Sequence, residues 1–297
     1  MDKSIKLKVP ATTANVGSGF DVMGIALNLY NFIEIKESNK TTINFDKNIK
    51  VSSGKNNLIY KSIERIFNEQ NLKTPDFEIN VSINIPTSRG LGSSSSAIIG
   101  GLVAANYFCG QKFSKNEILN FANDIEGHPD NVAPCLLGGI VSSVVENKKV
   151  FSCNINTDLD LSFVVIIPEF ELPTSESRKV LPKTINFSDA IFNMSRLSFL
   201  INGFYKNDLK MIEIGLKDRL HEQYRGKLIK GFDEIKNIAL ENGAIGSVLS
   251  GAGPTILAVC RNNPDEIGNF MKNKWIELGV KSDYKILKID YEGIKII

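Results

Sequence analysis

The segment that most limits what this chain can fold into is Pro86-Thr87-Ser88-Arg89-Gly90-Leu91-Gly92-Ser93-Ser94-Ser95-Ser96. Before it, Ile79, Val81, Ile83 and Ile85 alternate with Asn80, Ser82 and Asn84, a period of two that predicts a strand with one buried face. After it, small and apolar residues from Ala97 to Phe108 predict a tightly packed helix. Glycines let a backbone approach a ligand closely, and serines favour helix N-caps and bring hydroxyls. The first N–H groups of a helix have no intrahelical partner, and the helix dipole favours an anion beside them. Strand, Gly/Ser turn and helix start together predict a phosphate site rather than a plain connection. The loop is not a Walker A sequence, because no Lys follows Gly92. Nor is it a dinucleotide fingerprint: Ser95 stands in the third glycine position, and no acidic residue ends a second strand about 20 residues on.

The rest of the chain surrounds this loop with mixed elements. Ile5-Lys6-Leu7-Lys8-Val9 and Ile33-Glu34-Ile35-Lys36 alternate like half-buried strands, and Leu161 to Ile167 reads as a buried one. Ile59, Ile63, Ile66 and Phe67 recur at helical spacing and predict a helix over 57–69; Ile118, Phe121, Ala122 and Ile125 mark another. Further helical stripes are Leu197, Leu200, Ile201, Phe204 and then Leu228, Phe232, Ile235, Ala239. Strands over 245–249 and 255–260 flank a Gly-rich turn, and a helix near 264–277 and a strand near 283–290 finish the chain. No strict βαβ rhythm runs through this order, so the fold class is α+β. A length of 297 residues fits two modest domains, drawn here as 1–160 and 161–297.

Charge and cysteine usage then remove whole classes of function. Thirty-five basic residues nearly balance thirty-three acidic ones, without long runs of one sign, whereas nucleic-acid binding draws most of its affinity from a concentrated basic face. No nucleic-acid partner is expected. The four cysteines, Cys109, Cys135, Cys153 and Cys260, form no C-x-x-C pair or common zinc spacing and suggest free thiols in a reducing compartment. Met1 to Pro10 is charged and alternating, with no apolar leader core, and no stretch approaches the roughly 18 apolar residues of a membrane helix. These features imply a cytoplasmic protein with no membrane partner.

Three segments in order resemble the GHMP family of small-molecule kinases. They are Val9-Pro10-Ala11-Thr12-Thr13-Ala14-Asn15-Val16-Gly17-Ser18-Gly19-Phe20-Asp21, then Pro86 to Ser94, then Ser250-Gly251-Ala252-Gly253-Pro254-Thr255. The resemblance runs from about residue 5 to residue 260. Within the family, the first segment is similar to the members that phosphorylate homoserine; it lacks the Arg and Glu-His pair of a galactokinase. Glu126-Gly127-His128-Pro129-Asp130-Asn131-Val132-Ala133-Pro134, Pro173-Thr174 with Arg178, and His221 to Ile229 are similar to the same branch. The resemblance implies a two-domain GHMP kinase fold: an N-terminal, ATP-binding α+β domain like a ribosomal-protein domain, and a C-terminal ferredoxin-like α+β sandwich. It also implies ATP and Mg²⁺ as cofactors, L-homoserine as the small-molecule substrate and a homodimer as the usual assembly.

Chemistry and resemblance together nominate the site. Phosphoryl transfer asks a protein mainly for positioning and charge stabilisation, and residues 86–96 supply anion donors. By resemblance, Ser94 and Glu126 are the Mg²⁺ ligands, a sufficient pair for an ion that leaves other positions to phosphate and water. Asn57, just before a helix, is a candidate for holding the adenine. An amino-acid carboxylate suits a guanidinium fork, which nominates Arg178 and Arg225, although Arg219 lies close in sequence to Arg225. Asp21 and Asn15 offer oxygens to an ammonium group, Thr174 belongs to the Arg178 segment, and His128 is placed to orient the hydroxyl end. His221 is read as structural, since His221-Glu222 does not continue into the H-E-x-x-H metal motif. Asp130 stands where some relatives carry a catalytic aspartate. Two roles stay open for it: accepting the hydroxyl proton, or organising the substrate while that proton passes to a phosphate oxygen. Two functional alternatives also remain, a GHMP kinase for another small alcohol and an inactive nucleotide-binding member of the fold.

Overall fold

The structure, a computed structural model, describes residues 3–47 and 51–297. Its N-terminal half contains the strands β1 (Ser4–Ala14), β2 (Met23–Ser38), β3 (Thr42–Phe45), β4 (Asp76–Ser82), β5 (Ile140–Glu146) and β6 (Lys149–Ile155). Between them run the helices α1 (Leu58–Glu69), α2 (Ser93–Phe108), α3 (Lys115–Glu126) and α4 (Pro129–Leu137). The C-terminal half follows in the order β7 (Ser162–Pro168), α5 (Thr174–Lys179), α6 (Phe187–Tyr205), α7 (Leu209–Gly215), α8 (Glu222–Arg225), a 3-10 turn (Gly226–Leu228) and α9 (Phe232–Glu241). It ends with β8 (Gly246–Leu249), β9 (Ile256–Cys260), α10 (Pro264–Glu277), β10 (Ser282–Leu287) and β11 (Lys295–Ile296).

Two sheets organise these elements. The first has the order β11-β1-β2-β4-β3, with β5 joining the start of β2 and β6 beyond it. Its central register sets Ile35 of β2 against Ile5 and Ile79, so alternate apolar side chains share one face. That face is covered by α1 and α2. They approach closely because a Cβ on Gly101 would lie 2.4 Å from the Ile59 carbonyl oxygen. β3 and β4 are parallel, with α1 between them in sequence, whereas the strand pairs around β2 are antiparallel. The second sheet has the order β10-β7-β9-β8 and is antiparallel throughout. Here the period of two separates two cores. Val164 and Ile166 pack with Ile235, Met271 and Trp275 under α9 and α10. Phe163 and Val165 face the opposite way, onto Ala11, Val16 and Met23 of the first half and Leu200 and Phe204 of α6. The two sheets thus share a core, in the two-domain α+β arrangement expected from the sequence. The sheets divide between Ile155 and Ser162, but β11 returns to pair with β1 at Leu7↔Ile296.

Several sequence readings need correction at their edges. Ile83 and Ile85 continue the alternation of β4 but leave the sheet, because their N–H groups are taken by the side chains of Asp46 and Asn31. Leu228 does not belong to the α9 stripe; it sits in the 3-10 turn, 39% exposed, and α9 begins only after Gly231. The last predicted strand stops at Leu287, and Ile289 makes only an isolated bridge to Leu27. The β5–β6 hairpin, α4 and α7 had no counterpart in the sequence reading.

Candidate active site

β1 enters a cleft between the two halves and carries polar residues inward. The Thr12 N–H donates to the Leu91 carbonyl (3.2 Å), and the Gly251 N–H donates to the Ala14 carbonyl (3.0 Å). The strand end is therefore clamped between the 86–92 loop and the 250–255 loop. The Ser250 hydroxyl closes the gap, donating to the Gly90 carbonyl at 2.6 Å beside the Thr13 hydroxyl at 2.9 Å. Ser88, Gly90 and Gly92 all have left-handed backbones, φ +53, +74 and +71, and coil the loop ahead of α2. At Gly90 the approach is too close for any side chain, since a Cβ would lie 2.2 Å from the Ser250 carbonyl oxygen. Arg89 straps the loop to the second sheet: it donates to the carbonyls of Pro168 (2.9 Å), Thr87 (2.9 Å) and Glu169, and pairs with Glu171.

This folding leaves the start of α2 open. Its N-cap is Gly92, which offers no side-chain cap, and the first turn carries no acidic residue. The N–H groups there, with the Ser93 and Ser94 hydroxyls, border a cleft of about 410 Å³. The end of α3 brings Glu126 to the same place. Its Oε1 accepts from the Ser94 hydroxyl at 2.7 Å and lies 3.3 Å from that of Ser95. An exposed hydroxyl beside a carboxylate at a helix N-terminus is an all-oxygen donor set that suits a hard cation bridging to phosphate. Among the described residues no cluster of three or more His, Cys, Asp or Glu side chains could hold a metal alone.

The next wall of the cleft is α4. Pro129 occupies its first turn, and β2 lies so close at Gly24 that a Cβ there would meet the Asp130 carbonyl at 1.8 Å. Asp130 is 1% exposed and its Oδ1 lies 2.5 Å from His128 Nδ1. Burial works against the imidazolium. The hydrogen bond and charge of Asp130 outweigh it, so His128 titrates above the ordinary histidine range. Asn131 accepts from the Thr12 hydroxyl at 2.7 Å.

The remaining wall carries two arginines. Arg178, in the last turn of α5, makes a two-pronged pair with Asp21 at 3.1 and 2.9 Å. Arg225, at the end of α8, is 1% exposed, and its guanidinium donates to the carbonyls of Ser177 (3.3 Å) and Gly251 (3.2 Å). Burial and the like charge of Arg178 pull its pKa down to about 10. Asn15 joins the two: its Oδ1 accepts from the Asp21 N–H, and its Nδ2 donates to the Gly251 carbonyl that Arg225 also uses.

Most of the predicted site residues thus meet on one cleft: Thr87 to Gly90, Gly92 to Ser94, Ser96, Asn57, Glu126, His128, Asp130, Asn15, Thr174, Arg178 and Arg225 all line it. Others stand back from it. Leu91 packs in the core with Ala11 and Val16, and Ser95 is buried under the helix start. Pro86 and Asp21 are not among the lining residues, although Asp21 is partly exposed and pairs with Arg178, which does line the cleft. Asn57 lines the cleft, but its side chain caps α1 by accepting from the Ile59 N–H (2.8 Å) and donates to the Ser52 carbonyl (2.6 Å). Sequence reasoning passed over Asn131, Gly251 and Ala252, which also line the cleft. Their signal was present, since all three lie inside segments already singled out. His221 is fully buried, away from the cleft wall.

Comparison with known proteins identifies the family of the chain. The model of the GHMP kinases N terminal domain matches residues 57–139, and that of the GHMP kinases C terminal region matches residues 200–277. The chain is 42% identical to a homoserine kinase of Crocosphaera subtropica, over 99% of this chain and 97% of that protein. It is equally identical to one of Clostridium beijerinckii, over 99% and 98%. The crystal structure of homoserine kinase from Cytophaga hutchinsonii superposes with a TM-score of 0.91 at 32% identity, covering 100% of this chain and 98% of that one.

Proposed function

This chain belongs to the GHMP kinase family, and from that premise we propose that it transfers the γ-phosphoryl group of ATP to the hydroxyl of L-homoserine. The product is O-phospho-L-homoserine, on the route to threonine. The observation that carries the reading is one cleft bordered both by an uncapped helix start and by two arginines. Such a cleft takes a polyphosphate and an amino acid side by side.

Each part of the chain has a physical task. The 86–96 loop and the first turn of α2 hold phosphate oxygens through backbone N–H groups and the macrodipole. Ser94 and Glu126 would hold Mg²⁺, which when bound neutralises charge on the phosphates and orients them. Arg178 and Arg225 receive the α-carboxylate, and Asp21 with Asn15 receives the ammonium. Arg178 and Asp21 pair with each other, so the two charges that a zwitterion needs stand side by side. Thr174 opens α5 and lines the cleft, and Asn57 shapes the far end of the cleft for the adenine. His128 and Asp130 act as a unit that orients the acceptor hydroxyl. Because the transition state is loose, orientation contributes more than proton removal, and Asp130 serves first as a positioning group for that hydroxyl. No helix among the described residues is long and apolar enough to cross a membrane. From the sequence features we infer a cytoplasmic location, and from the family a homodimer.

ADP release by the purified chain with MgATP tests this, using L-homoserine, L-serine, L-threonine, mevalonate, galactose and no acceptor. Release only with L-homoserine supports the reading. Release with a different alcohol keeps the kinase and removes the roles given to the arginines.

A further inference from the structure

The two arginines are held very differently. Arg178 has a carboxylate partner; Arg225 has none in ion-pair range among the described residues and donates only to two carbonyls, both beyond 3 Å. A buried guanidinium tied this loosely needs something else to fix its plane. The contact that remains is aromatic: the Arg225 guanidinium carbon lies 5.1 Å from the centroid of the Phe20 ring, over its face. Phe20 in turn stacks on His221, with centroids 5.1 Å apart and planes inclined by 21°. His221 is fully buried, and its Nε2 lies 3.2 Å from the Gly17 carbonyl oxygen. Gly17 and Phe20 belong to the same β1–β2 connection, so the imidazole braces the turn that carries the ring.

We propose that Phe20 is a positioning residue for Arg225, its ring orienting the guanidinium toward the acceptor carboxylate while His221 holds the ring in place. The inference rests on the functional reading above and deepens it. Phe20 and Asp21 are neighbours, and each holds one arginine: the ring bears on Arg225 and the carboxylate on Arg178. The left-handed backbone at Asp21, φ +54, turns the chain between them. A guanidinium over a ring face is attracted by the ring quadrupole, and an aliphatic side chain of similar volume has no such field. His221, read from sequence only as structural, becomes the support of this stack.

Steady-state kinetics of the full chain with MgATP and L-homoserine tests the proposal. F20L is expected to raise the homoserine KM about three- to thirty-fold. The same variant should keep kcat and the ATP KM within about twofold. F20Y, which restores a ring, should return the homoserine KM toward the parent value. In an R225K background, where the planar fork is gone, F20L should add less than about twofold. An unchanged homoserine KM in F20L overturns the proposal. So does an equal rise in both Arg225 backgrounds, or a joint loss of kcat, both KM values and thermal midpoint that F20Y does not rescue. If F20L does not fold, F20M carries the same comparison. A parent protein that makes no phosphohomoserine overturns the functional reading and this inference with it, and that result appears before any substitution is made.

Discussion

The two ends of the cleft solve opposite electrostatic problems. At the start of α2, donors are left unpaired: Gly92 offers no side-chain cap and the first turn carries no carboxylate. At the arginine end, charges hold one another: Arg178 grips Asp21, and Asn15 ties Asp21 to the Gly251 carbonyl shared with Arg225. Backbone N–H groups can wait for an anion because their partial charges are small and partly solvated. A bare charge in a half-buried site is costly, so Arg178 is held by Asp21, while Arg225 has two carbonyls and a ring face in place of a carboxylate. A fixed polyanion is met by free dipoles, and a zwitterion by charges that already have partners.

Gly90→Ala should break the phosphate end most severely. Its Cβ would lie 2.2 Å from a backbone oxygen at a left-handed φ of +74, and no flexible side chain can move to relieve it. Misplacing reacting groups by about 1 Å can cost about 10²-fold, so kcat/KM for ATP should fall by at least about that much. Circular dichroism should show the fold retained. Parent-like ATP kinetics would mean that the backbone course of this loop does not set the phosphate site. Glu126→Gln comes next. It keeps the shape and removes the charge beside Ser94, and kcat should fall about 10- to 100-fold, with activity requiring more Mg²⁺. A Mg²⁺ titration identical to the parent's would take Glu126 out of the metal site. Arg178→Ala strikes the other end. A lost charged hydrogen bond is worth about 1.5–3 kcal/mol, so the homoserine KM should rise about 10- to 150-fold while the ATP KM holds. Equal changes in both KM values would erase the division between the two ends.

The same contrast decides what the sequence made legible. The phosphate end lies in one stretch, and its strand-turn-helix context can be read locally from Ile79 to Phe108. The arginine end is assembled from Asn15, Asp21, Arg178, Arg225 and Gly251, and the Asn15–Gly251 hydrogen bond spans 236 positions. No periodicity announces such pairs; only the family motif grouped them. Asn131 was missed although it follows Asp130, because its partner Thr12 lies 119 residues away. α4 escaped notice because it is nine residues long, buries most of its surface and carries Pro134 inside, so no amphipathic stripe forms. The β5–β6 hairpin escaped for the opposite reason. Val144, Val145 and Phe151 are exposed, which blurs the alternation that marks a half-buried strand.

The smallest effect is expected in the scaffold that carries Arg225. The Asp218 side chain is enclosed just before α8 and accepts from the N–H groups of Leu220 (3.1 Å), His221 (2.8 Å) and Glu222 (2.8 Å) and from the Asn193 side chain (2.8 Å). Burial alone would raise its pKa; attraction to His221 and these hydrogen bonds more than offset that and hold it below the ordinary aspartate value. A carboxylate whose pKa is lower folded than unfolded adds stability above the unfolded value, near 3.9, and loses it as pH falls through the folded one. Asp218→Asn keeps an acceptor oxygen but no charge. It should cost about 1–2 kcal/mol at pH 7, with homoserine kinetics only slightly altered. Urea unfolding of parent and variant at pH 7, 5 and 3 should show a gap that is steady between the first two and narrower at the last. A gap unchanged at pH 3 would mean that the charge of Asp218 contributes nothing and that hydrogen-bond shape alone holds α8. A gap accompanied by a large rise in homoserine KM would place Asp218 in the acceptor site rather than beneath it.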